Sequence, residues 1–144
     1  MSEAKVSLRE GYQSIITSGG HTVITDEPVS AGGQDLGPTP MQLFLGSLGA
    51  CIAITVKLYA SRKEWPLDGV DVDVQMVRFK GMEYAAYQGT EDFVHEFKVK
   101  VDLKGDLTDE QRTRLMEIAG KCPVHRAITS PAFVFHEMAE PTSV

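Results

Sequence analysis

The stretch from Thr39 to Ile54 (Thr-Pro-Met-Gln-Leu-Phe-Leu-Gly-Ser-Leu-Gly-Ala-Cys-Ile-Ala-Ile) limits most strongly what this chain can become. Thr39 fits a helix N-cap, and Pro40 fits the first helical position, where a missing N–H costs nothing. The helix so begun is expected from Pro40 to about Arg62 or Glu64, stopped before Trp65-Pro66. Leu43, Phe44, Leu45, Leu48, Ile52, Ile54, Val56 and Leu58 go right round it instead of forming one stripe. A helix apolar on all sides must be covered on all sides. Gly46 and Gly49 each weaken a helix by roughly 1 kcal/mol relative to alanine, which makes sense where another backbone packs closely. A chain of 144 residues can hardly wrap such a helix alone, so an intertwined oligomer is expected. Only the last turns, with Lys57, Arg62, Lys63 and Glu64, read as solvated.

The rest of the chain supplies strands and shorter helices. Lys5–Arg9 and Tyr12–Thr17 alternate in polarity around Glu10-Gly11, a hairpin signal, and Ser18-Gly19-Gly20 turns into a β-branched strand at His21–Thr25. Asp26 to Pro38 has no apolar periodicity and holds Pro28, Gly32, Gly33, Gly37 and Pro38, so it is a loop. Val70–Val77 alternates strictly in a strand continuing to about Lys80, Phe93–Leu103 alternates again, and the two predict an amphipathic pair with one wet face, joined through Gly81–Thr90. His95 falls on the apolar side. Thr108 and Gln111 predict a capping box for a helix ending near Gly120-Lys121. Ala132–Phe135 predicts a last short strand before a polar tail. The fold class is α+β, a single domain over 1–144 with antiparallel sheets.

Net charge is −6 and the pI about 5.1, with no Lys/Arg-rich run, so nucleic acid is not an expected partner. The N-terminus lacks a signal-type apolar region, and the Met41–Val56 stretch carries Gln42, Ser47 and Thr55 and is ended by Lys57, so no membrane span is expected. A cytoplasmic location follows. Two cysteines, Cys51 and Cys122, are too few for a disulfide scaffold, and both are expected as thiols at rest.

What those thiols do is open from the residues alone. Mid-helix Cys51 reads as an inert core thiol unless a cation comes from elsewhere, because apolar surroundings raise a thiol pKa. Pro123 permits a fresh helical turn capped by Cys122, where the helix dipole favours a thiolate. Cys51, Cys122 and His125 can also be counted as three soft zinc ligands, although one Cys-x-x-His pair plus a distant cysteine is not a usual zinc spacing. There is no Gly-x-Ser-x-Gly elbow and no phosphate-cradling glycine loop.

Taken together, Pro40-Met-Gln-Leu-Phe-Leu-Gly-Ser-Leu-Gly-Ala-Cys51 and Cys122-Pro-Val-His-Arg126 resemble the two signature segments of the osmotically induced protein C (OsmC) and organic hydroperoxide resistance (Ohr) family, in order and spacing over nearly the whole chain. The resemblance implies an intertwined homodimer with the cysteine helices buried between sheets. It implies thiol peroxidase chemistry in oxidative-stress defence: Cys51 attacks a hydroperoxide and becomes a sulfenic acid, Cys122 resolves it to a disulfide, and a dithiol reductant restores the pair. Arg9, in Arg9-Glu10-Gly11, matches the family arginine that stabilises the thiolate. No cofactor and no metal is expected.

The sequence departs from that pattern once. Efficient family reductases carry a glutamate ten residues before the helix cysteine to hold the arginine, and that position here is Met41, whose thioether cannot accept a charge-assisted bidentate bond. Glu10 and Gln42 are the candidate substitutes. Reduced or differently tuned peroxidase activity is expected, closer to the OsmC-like branches. The rival from another class is a non-catalytic dimer binding a small apolar ligand beside Cys51.

Overall fold

The structure, a computed structural model, describes residues 2–140; Met1 and the last four residues of the expected polar tail lie outside the described residues. The N-terminal strands β1 (Lys5–Leu8), β2 (Ser14–Ser18) and β3 (His21–Thr25) form an antiparallel sheet in that order. Lys5 pairs with Thr17, and Ser14 with Thr25. The first connection is wider than the expected Glu10-Gly11 turn. Arg9 and Tyr12 leave the ladder, and the Tyr12 ring instead lies against Gly32 in the following loop.

Helix α1 (Pro40–Arg62) starts where the sequence places it. Gln42 N–H donates to Thr39 Oγ1 at 3.2 Å and Thr39 N–H donates to Gln42 Oε1 at 2.9 Å, so two of the unpaired donors at the helix start are satisfied. Strands β4 (Gly69–Lys80) and β5 (Phe93–Lys104) pair antiparallel along their whole length, with Val72 opposite Val101 and Val74 opposite Val99. Helix α2 (Asp109–Ala119) carries the expected Thr108–Gln111 capping box, and a short helix α3 (Pro123–Thr129) follows Cys122.

The core lies between α1, the β4–β5 pair and α2. Leu48, Ile52, Val56 and Ala60 recur every fourth residue on one face of α1 and meet Leu103, Leu115, Ala119 and Cys122. Burying a side chain such as Ile52 or Leu115 contributes roughly 2–3 kcal/mol. Gly49 serves this packing: a Cβ there would lie 3.3 Å from Val74 Cγ2, so glycine lets α1 settle on β4. Gly46 does not fit the same expectation, since a Cβ there would meet nothing within 4 Å.

Of three further expectations, the first, that one chain cannot wrap α1 alone, holds, and the other two are corrected. One chain covers one face of α1 only: Ile54 and Leu58 remain 60% and 52% exposed. By length and composition α1 does reach what a membrane span requires, yet it is the helix on which β4, α2 and α3 pack. Ala132–Phe135 forms no strand. Phe133, Val134 and Phe135 are exposed and have no ladder partner, and β-propensity without an edge to pair leaves backbone donors to water.

Candidate active site

Pro123 begins α3, and Cys122 is its N-cap, with extended backbone dihedrals. The Cys122 sulfur accepts the His125 backbone N–H at 3.2 Å and is fully buried. The helix dipole at this cap by itself favours a thiolate; the surroundings outweigh it. Burial pushes the Cys122 thiol up, the His125 N–H pulls it down, and the Cys51 thiol beside it raises it again, with a net upward direction. Cys122 is therefore held as a protonated thiol.

Cys51 sits mid-way along α1 and is half-buried, and both cysteines are free. It packs against the buried cluster that holds Cys122, which brings together two residues far apart in sequence. The fold thus presents one partly accessible sulfur backed by one inaccessible, protonated sulfur. Such a pair suits attack by the first and resolution by the second.

A cavity of about 740 Å³ opens one helical turn before Cys51. Met41, Phe44 and Leu48 of α1 form one wall, Met76, Phe97 and Val99 of the strand pair another, and Ile128 and Thr129 of α3 the third. Phe44 and Phe97 meet edge to face with centroids 5.8 Å apart. Its polar groups are Tyr84, His95, Glu96, His125 and Thr129. Tyr84 Oη donates to Glu96 at 2.5 Å, which raises the phenol and, with Lys98 at 3.5 Å, holds the carboxylate below its ordinary range. Sequence reasoning missed this pair. Tyr84 lies in the connection after β4, and nothing in its spacing pairs it with Glu96.

Arg9 is not brought to the thiols within one chain. It lies on the β1–β2 turn, exposed, and donates to the Leu8 carbonyl at 3.3 Å; among the described residues no hydrogen bond joins it to Cys51 or Cys122. Gln42 is already engaged in the α1 capping box, so it is a poor substitute for the family glutamate. Met41 is half-exposed at the cavity wall. Among the described residues no group of three metal-ligating side chains gathers; His125 meets Cys122 through its backbone N–H.

Comparison with known proteins matches this geometry to one fold. The OsmC-like protein family matches residues 32–136. No curated protein matches the chain. An OsmC-like protein from Mycoplasma pneumoniae superposes with a TM-score of 0.70 at 18% identity, over 89% of this chain and 86% of that one. An organic hydroperoxide resistance protein OsmC from Legionella pneumophila gives 0.63 at 19%, over 90% and 89%. The organic hydroperoxide resistance protein OhrB of Bacillus subtilis gives 0.59 at 26%, over 88% and 90%. With both cysteine segments inside the matched region and the fold shared along nearly the whole length, the chain belongs to the OsmC-like protein family.

Proposed function

We propose that this protein is a two-cysteine hydroperoxide reductase working as a homodimer in the cytoplasm. The observation that carries the reading is a half-buried thiol, Cys51, packed against the core cluster that holds the fully buried Cys122 thiol, one helical turn beyond Leu48 in the wall of a largely apolar cavity. The Cys51 thiolate attacks the outer peroxide oxygen and breaks the O–O bond; sulfur is oxidised to a sulfenic acid and the peroxide is reduced to an alkoxide, which takes up a proton and leaves as the alcohol. The Cys122 thiol then displaces water from the sulfenic acid, giving a disulfide. A dithiol reductant transfers two electrons and two protons back, returning both thiols. Arg9 is the cation for the Cys51 thiolate in the assembled dimer. Its exposure within one chain and the uncovered face of α1 both leave room for that assembly. Met41 leaves Arg9 without the family's carboxylate partner, so activity is expected to be modest.

The test is hydroperoxide consumption with a dithiol reductant, for the wild type, Cys51→Ser and Cys122→Ser. Turnover should vanish without Cys51 and stop at the sulfenic acid without Cys122. Turnover that survives loss of Cys51 would remove the reading. The cavity favours a second reading, a non-catalytic dimer that binds a small apolar ligand. Saturable ligand binding with no peroxide loss from the wild type would select it.

A further inference from the structure

Asp26 is the first residue after β3 and is 1% exposed. Its carboxylate accepts three backbone N–H groups: Glu27 at 2.8 Å on Oδ1, and Gln34 and Leu36 at 3.2 Å each on Oδ2. Its own N–H donates to the Pro38 carbonyl at 3.2 Å, one residue before the Thr39 cap of α1. These bonds fold the whole loop back onto one side chain. Gly33 is seated against it, since a Cβ there would lie 1.9 Å from the Glu27 carbonyl oxygen and 2.9 Å from Asp26 Oδ1. The adjacent Gly32, at φ +89, carries the Tyr12 ring, which a Cβ would approach to 3.2 Å. Tyr12 belongs to the turn that begins at Arg9. A polar hollow of about 330 Å³ between Glu10–Gln13 and Gly32–Gln34 has Asp26 in its wall.

From these contacts we propose that Asp26 is a positioning residue for the reaction, fixing the Arg9 turn against the start of the cysteine helix. The proposal rests on the role given to Arg9 above. Burial opposes ionisation of Asp26, and the N–H donors of Glu27, Leu36 and Gln34 together outweigh it, so the carboxyl stays below its usual range. Besides Arg9 and Tyr12, the titratable groups on the turn and loop are the acidic Glu10, Glu27 and Asp35, and the backbone donors are what hold Asp26 down. A carboxylate that accepts several N–H groups is a rigid staple. It holds a turn that has left its own ladder.

The experiment is single-turnover oxidation of Cys51 by cumene hydroperoxide in the full-length protein, comparing Arg9→Gln, Asp26→Asn, Tyr12→Ala and the doubles. Arg9→Gln should slow the chemical step about ten- to hundredfold. Asp26→Asn should slow it about tenfold, Tyr12→Ala less, and neither should change further in the Arg9→Gln background beyond about twofold. The peroxide concentration at half-maximal rate should stay fixed, because the apolar cavity is built without the loop. Additive effects of Asp26→Asn and Arg9→Gln, or a change in half-saturation in place of rate, would overturn the proposal. So would an Arg9→Gln effect with none from Asp26→Asn and Tyr12→Ala. If Asp26→Asn does not fold, Tyr12→Ala and its double with Arg9→Gln decide alone. No effect of Arg9→Gln itself would overturn the Arg9 reading, and this proposal with it.

Discussion

On one side of α1, Leu48, Ile52, Val56 and Ala60 are closed over by the β4–β5 pair and α2; on the other, Ile54 and Leu58 stay more than half exposed. The two sides are equally apolar in sequence, so hydrophobicity does not choose between them. The choice comes from Gly49, which admits β4, and from the four-residue spacing that aligns the buried side chains with α2. Cys51 lies on the edge of the covered side and Cys122 within it. The chemistry proposed for the pair follows this difference, with an accessible sulfur at the boundary and a protected one inside. In the proposed dimer a second copy would cover the open side and bring its exposed Arg9 turn with it.

The contrast can be broken by substitution, starting from the largest effect. Cys51→Ser should reduce peroxide turnover to background, measured with a dithiol reductant in excess. Ile52→Ala should cost about 2–5 kcal/mol in denaturant melts. Ile54→Ala, measured at protein concentrations low enough to keep single chains, should change stability by less than about 0.5 kcal/mol; equal costs at both positions would mean that the single chain covers both sides. Met41→Glu should raise the rate with organic hydroperoxides several-fold, as restoring a charge-assisted partner for Arg9 requires. An unchanged rate would mean that Arg9 is oriented another way or not used.

A pH experiment sharpens the difference between the thiols. The folded Cys122 thiol is raised, so at pH values above that of an unfolded cysteine, about 8.5–9, the unfolded chain binds fewer protons than the folded one. The stability contributed by buried Cys122 is thus fully present below that range and falls as pH rises through it. Melts of Cys122→Ala between pH 8 and 10 should show a flatter decline than the wild type. An equal or steeper decline would contradict a raised Cys122.

Much of this was legible in the residues. Thr39-Pro40 sets the start of α1, Thr108 and Gln111 cap α2, and strict alternation gives β4 and β5, because caps and periodicity are local. What was not legible depends on contacts between distant segments. The short apolar run Ala132–Phe135 reads as a strand, but whether it pairs depends on an available edge. The N-cap position of Cys122 suggests a thiolate, and burial supplied by α1 and α2 reverses it. Asp26 reads as one more polar loop residue; its three N–H partners become visible only when the loop closes.

The central claim is that Cys51 and Cys122 form one redox unit. Its most direct test is to treat the reduced protein with one equivalent of organic hydroperoxide, without reductant, and map its cysteines by mass spectrometry. The account predicts loss of both thiols to an intrachain Cys51–Cys122 disulfide, with none formed in Cys51→Ser. Two thiols still free after the peroxide is exposed to the protein, or oxidation of Cys122 ahead of Cys51, would contradict it.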